Sequence, residues 1–210
     1  LKDSVRIILL QRELGEKDLE KIQKVYDTKT IQSTFAYDAV VLAKGAGQKG
    51  IVLDYAKLQE NLKKGGQSFV TLDAYTNLYV LVLRMLGVQS GDKSISTVSS
   101  LEELAKVLDK DSSKTAILPF ALVSDEDDPA AKDVRKMFSW PGLSMVQEGK
   151  ADTIYPSQSS IFTKEWPLVK TYTFLYCNVE RKNGYGFVQF AHSTKAAKMI
   201  LKAGLVPYKM

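Results

Sequence analysis

Hydrophobic residues gather in short segments of the chain that are dense in Val, Ile, Leu, Phe, Tyr and Thr. This composition is typical of strands that are mostly buried in a sheet. The predicted strands cover residues 5–10, 35–43, 68–72, 115–123 and 165–178.

Between the strands, apolar side chains recur at helical spacing behind candidate capping residues, which are Asp54, Ser99 or Ser100, and Ser193 or Thr194. Helices are predicted over residues 17–25, 54–64, 77–86 and 100–108, with a short one from about Ala130 and a last one from Ser193 to Gly204. Residues 88–98 are predicted to be a flexible loop and residues 139–165 an irregular segment. Because strands and helices alternate, the sequence predicts an α/β fold with largely parallel pairing.

Length and charge narrow the classes of function. The 210 residues suffice for one domain or two small lobes. The formal net charge of +5 suits an anionic ligand or a position beside a membrane. The lysines are scattered and no arginine cluster alternates with aromatic residues, which argues against nucleic-acid binding. No apolar run approaches the ~20 residues that span a bilayer, and Leu1 at the start predicts a longer gene product.

The chain has one cysteine and one histidine, which limits its chemistry. Cys177 by itself excludes an intramolecular disulfide and a cysteine-based zinc site, and we expect a buried, unreactive thiol. His192 stands at the entry to the last helix, where we expect it to be solvated. Without a second histidine or cysteine, the usual catalytic dyads cannot form. The sequence therefore predicts no enzyme, cofactor or metal, although spacing alone leaves catalysis by carboxylates open.

Residues Gly45 to Gly50 match the dinucleotide-binding pattern G-x-G-x-x-G directly after a predicted strand. Asp73 follows near the end of the next predicted strand, where a ribose-binding carboxylate would stand. In such sites the pyrophosphate lies on a helix that opens within the glycine loop. Here Asp54 is the better helix cap, so the helix would begin too late. A mobile basic turn is therefore the favoured interpretation, with nucleotide binding as a weak alternative.

The amino-acid sequences of several segments, and their order along the chain, resemble those of the phosphate-type substrate-binding proteins of ABC transporters. The resemblance is to the variety that is common in Bacteroidetes-type bacteria. The C-terminal part is the most specific, with a Trp-Pro-Leu bend at Pro167 into a hydrophobic strand, a G-F-x-x-F helix and the ending K-A-G-L-V-P. The other similar segments are residues 7–14, 35–42, 54–64, 115–120 with Ser124 and Asp125, and 165–178.

This resemblance implies a two-lobed fold of the type II periplasmic-binding-protein superfamily, each lobe a mixed sheet flanked by helices. Lobe one would hold residues 1–37 and 170–210, and lobe two residues 38–169, with crossing strands near Tyr37 and Lys170 as the hinge. It also implies capture of phosphate or a similar oxyanion in an interlobe cleft and delivery to an ABC permease. Such a protein is a monomer, exported to the periplasm or cell surface and often anchored as a lipoprotein.

The resemblance also suggests which residues hold the anion. The candidates are Gln11, Arg12, Asp38, Asp73, Tyr75, Thr76 and Asn77. Arg12 would offer a bidentate fork to an oxyanion, and Thr76 would act with the free amides at the start of its helix. Asp38 and Asp73 would accept hydrogen bonds from a protonated oxyanion, or cap local turns.

Two departures from the family pattern keep a second function open. The family's first strand and its Ser/Thr-Gly loop would precede Leu1. The lobe-two loop, usually Ser-Gly-Thr or Asn-Ser-Ser-Thr, is Asp73-Ala74-Tyr75-Thr76-Asn77 here, and Tyr75 would either block the anion or stack on a larger ligand. The alternative is a degenerate scaffold at the cell surface that binds a protein or glycan partner.

Overall fold

The computed structural model describes residues 7–26, 30–64, 68–87, 95–147, 150–177 and 185–209. The chain divides into two compact units, of which unit 1 comprises Leu1–Asp38 with Lys170–Met210 and unit 2 comprises Ala39–Val169. No helix in the described ranges is both long and apolar enough to cross a bilayer.

Unit 1 is a sheet with helices. Its elements are β1 (Ile7–Leu10), α1 (Glu16–Tyr26), the first part of β2 (Thr30–Gly45), nearly all of β10 (Val169–Cys177), α7 (Tyr185–Ala191), α8 (Thr194–Lys202) and β11 (Val206–Pro207). Strand β10 lies between β1 and β2, and β1 pairs with it antiparallel, with Leu9 opposite Phe174. Phe174 packs with Val188 and Ala191 of α7, and its ring stacks on Phe35 at 4.2 Å between centroids.

Unit 2 holds the rest of β2 and most of the helices. Its other elements are β3 (Val52–Asp54), α2 (Tyr55–Lys63), β4 (Phe69–Leu72), a 3-10 turn (Asp73–Tyr75), α3 (Thr76–Met85), β5 (Ile95–Val98), α4 (Leu101–Lys110), β6 (Thr115–Pro119), a second 3-10 turn (Phe120–Leu122), α5 (Pro129–Met137), β7 (Phe138–Ser139), β8 (Gly142–Gln147), β9 (Lys150–Ile154) and α6 (Gln158–Phe162). One sheet has the order β2-β6-β4-β5, with β7 also on β2, and a small sheet has the order β3-β8-β9.

Local capping chemistry was predicted well. Asp54, Ser100 and Ser193 cap α2, α4 and α8, because each side-chain oxygen accepts a hydrogen bond from a backbone N–H of the first turn. Gly87 and Gly204 follow α3 and α8 with positive φ, the left-handed conformation that ends helices. The predicted stop at Gly65–Gly66 and the turn at 181–184 lie outside the described residues.

Several predictions from the sequence pattern are wrong in detail. Residues 95–98, assigned to a loop, form β5, which pairs with β4 in parallel register. The segment 139–165 contains the β8–β9 hairpin and α6. Strand β1 is not buried, since Ile8 is 45% and Leu9 is 56% exposed. Pairing is mixed, with β2–β6 antiparallel and β4–β6 parallel. Pairing partners are set by distant parts of the chain, so a local pattern does not specify them.

Candidate functional site

Gln11 and Arg12 lie in the short connection between β1 and α1, and both are exposed. The Arg12 guanidinium lies 3.9 Å from the carboxylate of Asp18 in the first turn of α1, with 54% of the Arg12 side chain exposed. At this distance and exposure the pair contributes little to stability. The guanidinium therefore retains donors that an anion could engage.

The loop that carries Arg12 is tied to β2. The Leu14 N–H donates to Oε1 of Gln32 at 2.7 Å, and the Gln32 amide donates back to the Leu14 carbonyl at 3.4 Å. Two residues further along β2, the Thr34 hydroxyl donates to Glu13 at 2.9 Å. The loop is thus held by side chains of the sheet as well as by its covalent ends.

Asp38 lies inside β2 rather than at a turn, so it caps no turn. Its carboxylate is 2.9 Å from the ammonium of Lys170, and the two side chains are 2% and 6% exposed. Burial by itself lowers the pKa of Lys170, but the charge of Asp38 and hydrogen bonds to Asp38 and Tyr172 outweigh it and raise that pKa. Lys170 also lies over the Tyr172 ring, 5.1 Å from its centroid. Asp38 is therefore already committed to a buried ion pair.

The four candidates of unit 2 lie within one short stretch, residues 73–77. Asp73 and Tyr75 belong to the 3-10 turn after β4, and Thr76 and Asn77 open α3 with exposed side chains. Strands β4, β5 and β6 run parallel, so their carboxyl ends lie at one edge of the sheet. That edge is where α/β sheets commonly bind ligands.

The start of α3 lacks a side-chain cap. Neither Tyr75 at the N-cap of α3 nor Leu72 before the 3-10 turn accepts a capping hydrogen bond. By contrast α2, α4, α5, α6 and α8 each have a side-chain cap. The first amides of a helix have no partner within the helix and carry partial positive charge. Because the 3-10 turn Asp73–Tyr75 leads directly into α3, its carbonyls can accept from the first amides of α3, and the amides that an anion could satisfy begin at Asp73.

Negative charge stands near this edge. The N-terminus of α4 carries Glu103, whose pKa is lowered by hydrogen bonds from the backbone and side chain of Ser99, while burial and the charge of Asp73 oppose that shift. Asp73 and Glu103 therefore lie close enough to repel each other. An oxyanion at the start of α3 would meet this charge, and it would bind better with a proton that Asp73 could accept in a hydrogen bond.

His192 is partly buried rather than solvated, contrary to expectation. Its Nε2 lies 2.7 Å from the Ser33 hydroxyl, at the junction of α7 and α8. Burial lowers the pKa of His192, and the charge of Lys209 lowers it further. Within the described ranges no three His, Cys, Asp or Glu residues are grouped to hold a metal ion. Cys177 ends β10, but its side chain lies outside the described part.

The glycine pattern does not form a dinucleotide site. Gly45 is still part of β2, where it pairs with Phe138, and strand β3 follows the loop before α2 begins. Lys44, expected in a mobile basic turn, is buried and donates to the carbonyls of Ser112, Ser113 and Lys114 at 2.7–3.3 Å. Because no helix opens within the glycine loop, its amides cannot receive a pyrophosphate in the way that the motif requires.

Comparison with solved structures identifies the fold. An ABC-type phosphate transport receptor from Vibrio cholerae superposes with a TM-score of 0.68 at 16% identity, covering 96% of this chain and 79% of the receptor. The protein PstS from Borrelia burgdorferi gives a TM-score of 0.68 at 15% identity, covering 98% and 80%. A possible phosphate binding protein from Planctomyces limnophilus DSM 3776 gives 0.69 at 12% identity, covering 97% and 75%.

The chain has the type II periplasmic-binding-protein fold. The resemblance to phosphate-type binding proteins is thereby confirmed at the level of the fold. No protein-family model and no curated protein matches the chain. At 12–16% identity the site residues do not follow from the superposition, so the assignment of Arg12 and Thr76 stays a prediction.

Sequence reasoning missed the residues that support the candidates. Gln32, Thr34 and Thr173 lie in strand patterns, and their bonding partners are distant along the chain. Lys170 carried a usable signal, because a lysine inside an apolar strand needs a buried partner. Asp38 is an acidic residue in an equally apolar strand, so the two could have been matched from sequence.

Proposed function

We propose that this chain is a solute-binding protein that captures phosphate or a similar oxyanion for ABC-type uptake. The observation that carries the proposal is the fold, which matches the Vibrio cholerae receptor over 96% of this chain. Fold alone does not fix a ligand, so the two candidate half-sites supply the chemical argument. Such a protein would work in the periplasm or at the cell surface.

Arg12 supplies the positive charge in unit 1. A guanidinium presents parallel N–H donors that match two oxygens of a tetrahedral anion, and charge-assisted bonds of this kind are about twice as strong as neutral ones. Its described partner, Asp18, is 3.9 Å away and half exposed. An oxyanion would therefore compete well for the guanidinium, with Gln11 beside it as a further donor.

The start of α3 supplies neutral donors in unit 2. The 3-10 turn that leads into α3 has no side-chain cap for its first amides, and the exposed Thr76 hydroxyl and Asn77 amide follow that turn. Asp73 would accept a hydrogen bond from a protonated oxyanion, which favours phosphate over a fully deprotonated anion such as sulfate. Capture in an interlobe cleft, with β2 and β10 as the hinge, stays a prediction.

Calorimetry tests the proposal directly. Protein stripped of carried-over ligand is titrated with phosphate, sulfate and molybdate, and we expect heat of binding with at least one. Arg12→Gln and Thr76→Val should each weaken binding about tenfold or more, because each removes a direct contact to the anion. Arg84→Gln is the matched control, since Arg84 is an exposed arginine in the last turn of α3. Equal losses in Arg12→Gln and Arg84→Gln would show a general charge effect.

The rival function is a scaffold that binds a protein or glycan partner at the cell surface. The observation that favours it is the 73–77 stretch, where the half-buried Tyr75 occupies the N-cap of α3. Absence of heat with all three anions would overturn oxyanion capture and leave the scaffold as the better hypothesis.

A further inference from the structure

We propose that Gln32 is a positioning residue that fixes the loop Gln11–Gly15 and so orients Arg12 for an anion. This inference rests on the proposed function, because it assigns Gln32 a part in the same half-site. Its basis is the bidentate contact of the Gln32 amide with the backbone N–H and C=O of Leu14.

The contact uses both ends of the Gln32 side chain. Oε1 accepts from the Leu14 N–H at 2.7 Å, and Nε2 donates to the Leu14 carbonyl at 3.4 Å. A primary amide has one acceptor and one donor end, so it can pair with the N–H and C=O of one residue as a neighbouring strand would. The two groups lie 18 positions apart in sequence. The loop backbone at Leu14 is therefore held by β2 and not by its own helix or strand.

A chain of hydroxyl groups makes a second tether one residue away. The Thr34 hydroxyl donates to Glu13 Oε1 at 2.9 Å and lies 3.1 Å from the hydroxyl of Thr173. Because the Thr34 hydroxyl donates its one hydrogen to Glu13, the Thr173 hydroxyl must be the donor to Thr34. The chain of donors thus ends on a carboxylate, which strengthens the last bond. Glu13 and Leu14 are both anchored, immediately after Arg12.

Arg12 depends on this anchoring because its own side chain does little to fix it. Among the described residues its guanidinium forms one ion pair, at 3.9 Å and half exposed. On the far side of the loop, Gly15 accepts hydrogen bonds from Asp18 and Leu19 at 3.0 and 3.1 Å, which starts α1. Leu14 is the backbone between that helix and Arg12. A fixed loop lowers the entropy that anion binding must overcome, which is the advantage of preorganisation.

The test combines a readout of the loop with a readout of binding. Gln32→Met removes both hydrogen bonds at similar length, and Gln59→Met is the matched control, since the Gln59 amide donates to the Leu86 carbonyl at 2.9 Å in unit 2. Amide hydrogen exchange at Leu14 is measured by NMR, and the dissociation constant for inorganic phosphate by calorimetry. We expect Gln32→Met to speed Leu14 exchange about tenfold and to weaken phosphate binding several-fold, with no change for Gln59→Met.

A double-mutant cycle with Arg12→Ala separates positioning from general destabilisation. If Gln32 acts through Arg12, Gln32→Met changes phosphate affinity in the wild-type background and not in the Arg12→Ala background. Gln32→Glu keeps an acceptor for the Leu14 N–H and should retain slow exchange at that amide. It also guards against a Gln32→Met variant that fails to fold.

The outcomes distinguish this inference from the proposed function. Unchanged Leu14 exchange in Gln32→Met would overturn the clamp, whatever the chain binds. If Gln32→Met lowered phosphate affinity equally in the wild-type and the Arg12→Ala backgrounds, positioning through Arg12 would be overturned. A wild-type chain that binds no phosphate, sulfate or molybdate would overturn the proposed function, and with it the role of the clamp in binding.

Discussion

Replacing Asp38 by Asn tests the claim that Asp38 serves a buried ion pair. In the wild-type chain Asp38 and Lys170 are both almost fully buried, with 2.9 Å between carboxylate and ammonium. The substitution keeps the shape of the side chain and removes its charge. The Lys170 ammonium then stays in a buried place without its counter-ion, beside the Tyr172 ring.

The expected cost follows from the desolvation of Lys170. Breaking a buried pair by removing one partner destabilises proteins by about 3–5 kcal/mol, because the remaining charge is uncompensated. The Asn oxygen can still accept a hydrogen bond, so we expect the lower end of that range. Replacing the pair by Asp38→Leu with Lys170→Met removes both charges and should recover much of the loss.

The pH dependence gives a second readout with opposite signs. In the wild-type chain the pKa of Lys170 is raised above its ordinary value of 10.5, so its contribution is full below 10.5 and is lost as pH rises through the folded-state value. In Asp38→Asn the charge of Asp38 is lost and only the interaction with Tyr172 still opposes burial, so we expect burial, the largest influence, to lower that pKa. The unfolded chain then binds more protons than the native one, so stability increases as pH rises towards 10.5.

Both effects are measured by urea unfolding. Circular dichroism is preferred to tryptophan fluorescence, since Trp140 and Trp166 lie in unit 2 while Asp38 and Lys170 lie in unit 1. Glu60→Gln is the control, because its pair with Lys64 has side chains 59% and 69% exposed and should contribute little. An Asp38→Asn variant that is as stable as Glu60→Gln would refute the reasoning. So would an Asp38→Asn variant whose free energy of unfolding changes with alkaline pH as that of the wild-type chain does.

Two further predictions concern a glycine pair and the lone histidine. Gly45→Ala should destabilise the chain by about 1–3 kcal/mol, because its Cβ would lie 2.6 Å from Asp109 Oδ1 and 3.1 Å from the backbone oxygen of Leu108, which cannot rotate away. Gly47→Ala, with nothing within 4 Å, should be neutral. Equal unfolding midpoints of the two variants in urea would contradict packing as the role of Gly45. Burial lowers the pKa of His192 below 6.5, so the free energy of unfolding should fall as pH falls below 6.5. His192→Gln should weaken that pH dependence, measured by urea unfolding. The same pH dependence in the wild-type chain and in His192→Gln would contradict this role of His192.

The elements that could be predicted are those whose causes lie within a few residues. Asp54 was identified as a cap from its type and position, and Ser100 and Ser193 each as one of two neighbouring candidates, because a cap bonds to the next turn of its own helix. Residues 95–98 were missed because four polar-rich residues become a strand only through the neighbouring strand β4. The β8–β9 hairpin was missed for the same reason.

The candidate site divides along the same line. Arg12 and Thr76 were chosen from residue type and family resemblance, and the structure supplies their surroundings, an exposed guanidinium and an uncapped helix start. Asp38 looked equally suitable in sequence, yet its carboxylate is paired with Lys170. Whether a charge is available to a ligand depends on its partners, and those can be far along the chain.

The sequence by itself determined the alternation of strands and helices, the caps and the family resemblance, because these follow from local chemistry and from short sequence motifs. Only the tertiary structure decided the mixed pairing of the strands, the burial of Lys44, and the clamp of Gln32 on Leu14. Each of these joins residues that are distant in sequence. A contact of that kind exists only once the chain has folded, so no local pattern encodes it.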